Sequence, residues 1–273
     1  MTGTRRLLAA IVAALCLTAL ASSAALAAYP NSMAATGDSI TRAFNTCSFP
    51  FTDCPANSWA TGTSTTVNSF YLRIRAVNPG IEGRLFNDAV SGARMAELPG
   101  QVSNVVRQAV EYAVVEMGAN DVCTSEEGTM TSVASYRSNF ESAMRTLGER
   151  LPAGARISVG SIPNVYWLWS LLHTNSSAVS TWNSLGICQS MLRNPTSTSR
   201  EDEERRLRVQ RREVEFNGVL AEVCARYANC QYDRNTGYEY RFEAAEVNTR
   251  DYFHPTVRGQ ATIARIEWPL VTF

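Results

Sequence analysis

The 273-residue sequence contains no lysine, so all 25 of its basic side chains are arginines. This absence excludes Schiff-base formation and catalysis by a lysine amine. Histidine is almost as scarce, because His173 and His254 are the only two, and a histidine base therefore has two candidates. The formal net charge is zero, so no overall positive field favours nucleic acid or an anionic membrane surface as a partner.

Several ligand-binding signatures are also missing from the sequence. It has neither a GxGxxG nor a P-loop motif, so nothing supports nucleotide binding. No CxxC pair occurs, and with two histidines a metal site has little support. The GxSxG elbow of the α/β-hydrolases is absent around Ser39. We therefore expect an activity that needs no metal or other cofactor.

The longest apolar run lies near the N-terminus. Arg5 and Arg6 precede an apolar stretch at residues 7–20, and Ala25-Leu26-Ala27 has the small-x-small pattern of a signal-peptidase site. The stretch is too short and too rich in alanine for a good membrane span. We expect residues 1–27 to be a signal peptide, exported by the Sec or twin-arginine route, with an uncleaved membrane anchor as the alternative.

The remainder, residues 28–273, is expected to be one secreted, monomeric domain without a membrane span, because 45% hydrophobic and 18% charged residues allow a large core. Its six cysteines favour three disulfides in an exported protein: Cys47, Cys54, Cys123, Cys188, Cys224 and Cys230. Fifteen pairings are possible. The simplest joins nearest neighbours, as Cys47–Cys54, Cys123–Cys188 and Cys224–Cys230.

Short apolar runs alternate with helix-period stretches along the chain. Five strands are predicted, over residues 33–36, 84–86, 113–117, 156–160 and 230–232. Amphipathic helices are predicted around residues 98–109, 136–147 and 216–227. The mixed-charge segment at residues 200–213 is expected to be a solvated helix face. The alternation predicts an α/β fold whose mainly parallel sheet has helices on both faces.

Polar, glycine-containing motifs follow three of the predicted strands, and a fourth polar motif, without glycine, precedes the last helix. The four are Gly37-Asp38-Ser39-Ile40, residues 87–92 with Gly92, Gly118-Ala119-Asn120-Asp121, and Asp251-Tyr252-Phe253-His254. Because sites in parallel sheets form at the carboxyl ends of the strands, we expect these segments to converge.

Ser39 and His254 are the candidates for nucleophile and general base. A serine hydroxyl needs a base to take its proton. Asp251, three residues before His254, can accept a hydrogen bond from the imidazole and fix its tautomer. The backbone N–H of Ser39, at the expected start of a helix, and that of Gly92 can donate to an oxyanion, together with the Asn120 amide.

The four motifs resemble the sequence blocks of the SGNH (GDSL) hydrolases, with Ile40 in place of the usual leucine. The resemblance runs from about residue 33 to residue 259 and extends to the layout of secreted actinobacterial lipases and esterases. It implies a flavodoxin-like, three-layer α/β/α fold and carboxylic-ester hydrolysis through an acyl-serine intermediate. It also implies the site roles: nucleophile Ser39, base His254, orienting acid Asp251, and oxyanion donors Ser39, Gly92 and Asn120.

The class of substrate is indicated less directly than the catalytic residues are. The relevant feature is a stretch of large apolar side chains at residues 166–172. One interpretation is core packing. The other is a wall for an acyl chain, with Tyr166, Trp167 and Trp169 contacting the substrate, and it favours lipid or medium-chain acyl esters. His173, beside this stretch, is expected to be structural or substrate-lining. The alternatives are carbohydrate O-acetyl esters and a catalytically silent secreted binding module.

Overall fold

The computed structural model describes residues 29–273, built around one five-stranded sheet. Its strands are β1 (Met33–Gly37), β2 (Leu85–Asn87), β3 (Tyr112–Glu116), β4 (Arg156–Val159) and β5 (Cys230–Tyr232). Every pairing is parallel, and the order is β2-β1-β3-β4-β5, the flavodoxin-like arrangement. All five predicted strands are confirmed. The predicted signal peptide lies outside the described residues.

Helices fill the connections between the strands. They are α1 (Phe70–Val77), α2 (Leu98–Gln108), α3 (Ala119–Val122), α4 (Val133–Arg150), α5 (Val165–Leu172), α6 (Ser176–Leu185), α7 (Gln189–Leu192), α8 (Arg200–Cys224), α9 (Thr236–Glu239) and α10 (Val257–Glu267). In the sheet, β2 lies on one side of β1, whereas β3, β4 and β5 follow on the other side. The β1–β2 connection therefore crosses the sheet in the opposite direction to the connections that follow it. Right-handed crossovers therefore place α1 on one face and α2, α4 and α8 on the other.

The two central strands lie fully inside the core. Every residue of β1 and β3 is buried, because helices cover the sheet on both faces. On one face, Tyr136 of α4 stacks on Phe216 of α8 with ring centroids 3.9 Å apart. On the other, Phe70 of α1 meets Trp268, just after α10, at 5.4 Å. The sheet is thus the middle of three layers.

The prediction of a solvated helix face at residues 200–213 holds for only one side of this segment, where Arg200 and the exposed Glu204 form an i,i+4 ion pair. Arg205, Arg206 and Glu213 are all buried within α8. The reason is that the chain from α5 to α7 packs against this half of α8. The Arg205 guanidinium donates to the Ser190 and Arg193 carbonyls. That of Arg206 lies 4.2 Å from the Trp169 ring centroid, a cation–π contact.

The six cysteines of the described chain form three disulfides, Cys47–Cys54, Cys123–Cys188 and Cys224–Cys230. This is the nearest-neighbour pairing. Within residues 29–273, no helix combines the length and apolarity that a membrane crossing requires.

Disulfide removal tests how these bonds contribute to stability. Cys123–Cys188 closes a separation of 65 residues and Cys224–Cys230 one of only 6. Because the entropy of the unfolded chain is restricted more by a longer loop, Cys123→Ala/Cys188→Ala should lower the free energy of unfolding more than Cys224→Ala/Cys230→Ala does, by about 2 kcal/mol. Urea unfolding of both variants measures the difference, and equal losses would contradict the prediction.

Candidate active site

The four motifs meet at the carboxyl edge of the sheet. Ser39, Gly92, Asn120 and His254 line one open cleft of about 360 Å³, with Asp251 buried behind His254. The convergence expected from parallel-strand geometry is therefore present.

A chain of hydrogen bonds links the three residues of the candidate triad. The His254 Nε2 atom lies 2.8 Å from Ser39 Oγ, and the Nδ1 atom lies 2.8 Å from Asp251 Oδ2. Because the carboxylate accepts from Nδ1–H, the Nε2 lone pair is left to accept the serine hydroxyl hydrogen. This geometry allows a proton to pass from Ser39 to His254.

The acid is held by its own segment of chain. Its second oxygen, Asp251 Oδ1, accepts from the backbone N–H groups of Phe253 at 2.9 Å and His254 at 3.0 Å. Burial alone would raise the pKa of Asp251, but the hydrogen bond and charge of His254 outweigh it and lower that pKa below its ordinary value. The carboxylate is therefore ionised at neutral pH, as an orienting acid requires.

Asn45 is a site residue that the sequence patterns did not reveal. Its buried side-chain amide donates to Asp251 Oδ2, the same oxygen that His254 contacts, and its Oδ1 accepts from Phe51 N at 2.6 Å. Arg250 donates to the carbonyl of Asn45, just before the Cys47–Cys54 loop, and to that of Cys47, where the loop begins. No local motif marks Asn45, since it lies 206 residues from its carboxylate partner.

Ser39 does not begin a helix, contrary to the prediction. Residues 38–45 form successive turns, with hydrogen bonds from Arg42 N to Asp38 O and from Phe44 N to Ser39 O. Positive φ angles at Ala43 (50°) and Asn45 (67°) prevent a regular helix. The backbone N–H of Ser39 therefore lies in a turn, without a full helix dipole behind it.

The other two oxyanion candidates lie beside Ser39. Gly92 has a φ of 84°, a conformation that favours glycine, and an added side chain would point into open space. The Asn120 amide nitrogen donates to Ala93 O at 3.0 Å and makes a long, 3.4 Å contact with Asp38 Oδ2. Asn120 belongs to α3, which the Cys123–Cys188 bond ties to α7.

Buried carboxyl groups lie behind Ser39 and Asn120. Burial raises the pKa of Asp38 to about 6 and that of Asp121 to about 6. Burial, with the nearby charge of Asp38, raises the pKa of Glu116 well above its ordinary value. Each group therefore resists ionisation, because removing a carboxylate from water disfavours the charged form.

The walls of the cleft are mainly apolar. Phe44, Phe253 and Ile187 line it together with the Cys123–Cys188 disulfide. The ring centroids of Phe44 and Phe253 lie 4.9 Å and 5.2 Å from that of His254. An ester bound at Ser39 would therefore meet hydrocarbon surface on several sides.

The aromatic residues of α5 face different environments. Trp167 lines a separate apolar cavity, whereas Trp169 is buried against Arg206 and donates from Nε1 to Pro195 O. Tyr166 packs on Trp169 at 5.1 Å, and His173 stacks on it at 4.7 Å. Tyr166, Trp169 and His173 are not among the residues that line the cleft or this cavity.

The fold and the site together define a parallel α/β protein with a serine–histidine–carboxylate arrangement at the carboxyl edge of its sheet. A family model described as GDSL-like lipase/acylhydrolase matches residues 33–266. The chain belongs to this family of ester hydrolases. Comparison with curated protein sequences finds no match.

Solved structures with the same fold include esterases and a lipase. An acetylxylan esterase, Axe2, from Geobacillus stearothermophilus is 15% identical, with 89% of this chain and 94% of that chain covered and a TM-score of 0.54. The α/β hydrolase enzyme LAE5, from the metagenome of Lake Arreo, is 14% identical. The match covers 88% of this chain and 96% of that chain, with a TM-score of 0.54. An extracellular lipase from Streptomyces rimosus is 16% identical. The match covers 88% of this chain and 99% of that chain, with a TM-score of 0.50.

Replacing Asn45 with glycine tests whether its amide positions Asp251. Glycine tolerates the positive φ at this position, so the change is loss of two side-chain hydrogen bonds: the one to the carboxylate, worth about 1.5–3 kcal/mol, and the one from Phe51 N. We expect kcat on p-nitrophenyl esters to fall roughly tenfold or more with KM little changed, because Asn45 does not line the cleft. The matched control is Asn68→Gly, at an exposed asparagine with φ of 50°. Equal kinetics for the two variants would rule out the positioning role.

The raised pKa of Asp121 predicts a dependence of stability on pH. A carboxyl whose pKa is 3.8 unfolded and about 6 folded stabilises the protein below pH 4, and this contribution is lost as pH rises towards 6. Asp121→Asn removes the titration and keeps an acceptor for Met95 N. The free energy of unfolding of the variant should therefore rise by about 2.4 kcal/mol relative to that of the wild type between pH 4 and pH 8. Denaturant unfolding of both proteins at pH 4 and pH 8 measures this change. If the difference in free energy of unfolding between variant and wild type is the same at both pH values, the burial argument is contradicted.

Proposed function

We propose that the protein is a secreted serine esterase that hydrolyses carboxylic esters through an acyl-serine intermediate. The observation that carries this proposal is the unbroken path from Ser39 Oγ through the His254 imidazole to Asp251, with 2.8 Å at each step. Ser39 is the nucleophile, His254 the general base and acid, and Asp251 the orienting acid. The family match supports ester hydrolysis as the reaction class.

The first half of the reaction forms the acyl-enzyme. Ser39 Oγ attacks the ester carbonyl carbon while its proton passes to His254 Nε2. Negative charge then develops on the former carbonyl oxygen, where the backbone N–H groups of Ser39 and Gly92 and the Asn120 amide donate to it. The long Asn120–Asp38 contact is the one that the oxyanion would replace. Collapse breaks the bond to the alkoxy oxygen, which leaves as alcohol with the proton from His254.

The second half regenerates the free enzyme. His254 Nε2 takes a proton from water, and the resulting hydroxide attacks the acyl carbon. The bond to Ser39 Oγ breaks, the serine recovers its proton from His254, and the carboxylic acid leaves. Asp251 stays ionised throughout and stabilises the imidazolium.

The apolar walls of the cleft favour an ester with a hydrocarbon acyl group. Phe44, Ile187 and Phe253 offer carbon surface beside Ser39, and burying a methylene stabilises a complex by about 0.8 kcal/mol. We therefore propose lipid or medium-chain acyl esters as substrates. Activity confined to acetyl esters would instead indicate a carbohydrate O-acetyl esterase.

Export accords with the covalent structure of the domain. Three disulfides are typical of a protein that folds in an oxidising compartment. We propose that residues 1–27 are the signal peptide and that the mature chain from residue 28 acts as a monomer.

Ser39→Ala tests the nucleophile. Loss of the attacking oxygen should lower kcat on p-nitrophenyl esters at least ~10⁴-fold and abolish labelling by a fluorophosphonate probe. Ser180→Ala is the control, because Ser180 is an exposed serine of α6 that does not line the cleft. Near-normal turnover by Ser39→Ala would refute the assignment. Absence of both turnover and labelling in the wild type would favour a silent binding module.

A further inference from the structure

A second cavity lies beside the catalytic cleft. Trp167, Leu168 and Leu171 of α5 form one wall of this apolar chamber, and Phe242, Val247 and Phe253 lie among the residues of the other. Its volume is about 60 Å³, several times the roughly 10–15 Å³ that one water molecule needs. The chamber is thus large enough for a short length of hydrocarbon chain.

Several polar groups at the edge of the chamber already have partners within the protein. Asn164 Oδ1 accepts from Trp167 N at 2.8 Å, and Trp167 Nε1 donates to Phe242 O at 2.9 Å. Both carboxylate oxygens of Glu246 are used, by Thr262 Oγ1 at 2.5 Å and by Glu243 N at 2.8 Å. A guest in the chamber would therefore gain from apolar burial far more than from hydrogen bonding.

Phe253 connects the chamber to the reacting atoms. Its side chain lines both the chamber and the cleft that contains Ser39. The backbone N–H of Phe253 is fixed by Asp251 Oδ1, so its ring stays beside the base. A chain that extends from an acyl carbon on Ser39 along this side of the cleft would reach the Phe253 ring first and the chamber behind it.

We propose that this chamber binds the distal part of the substrate acyl chain, with Phe253 as the wall past which the chain enters. The proposal rests on the proposed function, since it takes Ser39 as the acylated residue. It names the ligand as a saturated acyl chain of medium length. Each methylene that the chamber removes from water should raise kcat/KM by roughly fourfold.

A chamber-filling variant tests the proposal kinetically. Leu171→Trp should occupy the space, and we expect the ratio of kcat/KM for p-nitrophenyl decanoate over acetate to fall about tenfold or more, as two methylenes lose their burial. Leu207→Trp is the control, because Leu207 is an exposed leucine of α8 and should leave the ratio unchanged. An unchanged ratio in Leu171→Trp, with Ser39-dependent activity intact, would overturn the chamber while leaving the proposed function standing.

A binding measurement separates the two proposals when catalysis is removed. Decanoate should bind the Ser39→Ala protein, measured by titration calorimetry, and its affinity should fall at least tenfold in Ser39→Ala/Leu171→Trp but not in Ser39→Ala/Leu207→Trp. Equal affinity in the three proteins would overturn the chamber as an acyl site. If decanoate binding is lost only in Ser39→Ala/Leu171→Trp, and the wild type hydrolyses no ester, the chamber is supported and the proposed function is refuted.

Discussion

The hydrogen bond between Ser39 and His254 joins residues 215 positions apart in the sequence, and most of the architecture is needed to form it. The carboxyl end of β1 must lie beside the segment of chain that leads into α10. The segment at residues 248–254 must also be fixed against the turn after β1. Asn248 and Arg250 do this by donating to the Asn45 carbonyl at 2.8 Å and 2.9 Å. The parallel sheet brings the two segments to the same edge, and these hydrogen bonds fix their relative positions.

The Cys47–Cys54 loop lies between the two halves of the site. On one side, Asn45 contacts Asp251, and Arg250 contacts the Cys47 carbonyl. On the other, Asp53 accepts from Ser91 Oγ at 2.5 Å, immediately before the oxyanion candidate Gly92. The loop thus contacts both the segment of the candidate acid and that of a candidate oxyanion donor. A short disulfide loop suits this task because it restricts the positions available to both contacts.

Much of this arrangement was predictable because it follows from patterns of short range. Continuous apolar runs identified the buried strands, and glycine-containing motifs at their carboxyl ends identified Ser39, Gly92 and Asn120. The spacing of Asp251 and His254 placed a carboxylate within reach of an imidazole. Each of these signals lies within a few residues of chain, where covalent geometry limits the possible structures.

The features that the sequence did not reveal depend on contacts between distant segments. The buried charges of α8 looked solvated because their partners, such as the Arg193 carbonyl and the Trp169 ring, come from α5–α7 and the loop after α7. Asn45 looked like an ordinary turn residue until Asp251 was placed beside it. Likewise, Trp167 and Trp169 are two residues apart but face the chamber and the core respectively. No composition-based argument separates such neighbours.

The most direct test of the central claim is to trap the nucleophile and identify it. The protein is treated with a p-nitrophenyl alkylphosphonate, whose phosphorus a serine oxygen attacks with release of p-nitrophenolate, and the adduct is located by peptide mass spectrometry. We predict one phosphonyl group on Ser39 in the wild type and labelling at least ~10³-fold slower in His254→Ala. An adduct on any other residue, or equal labelling of Ser39 without His254, would contradict the proposed relay.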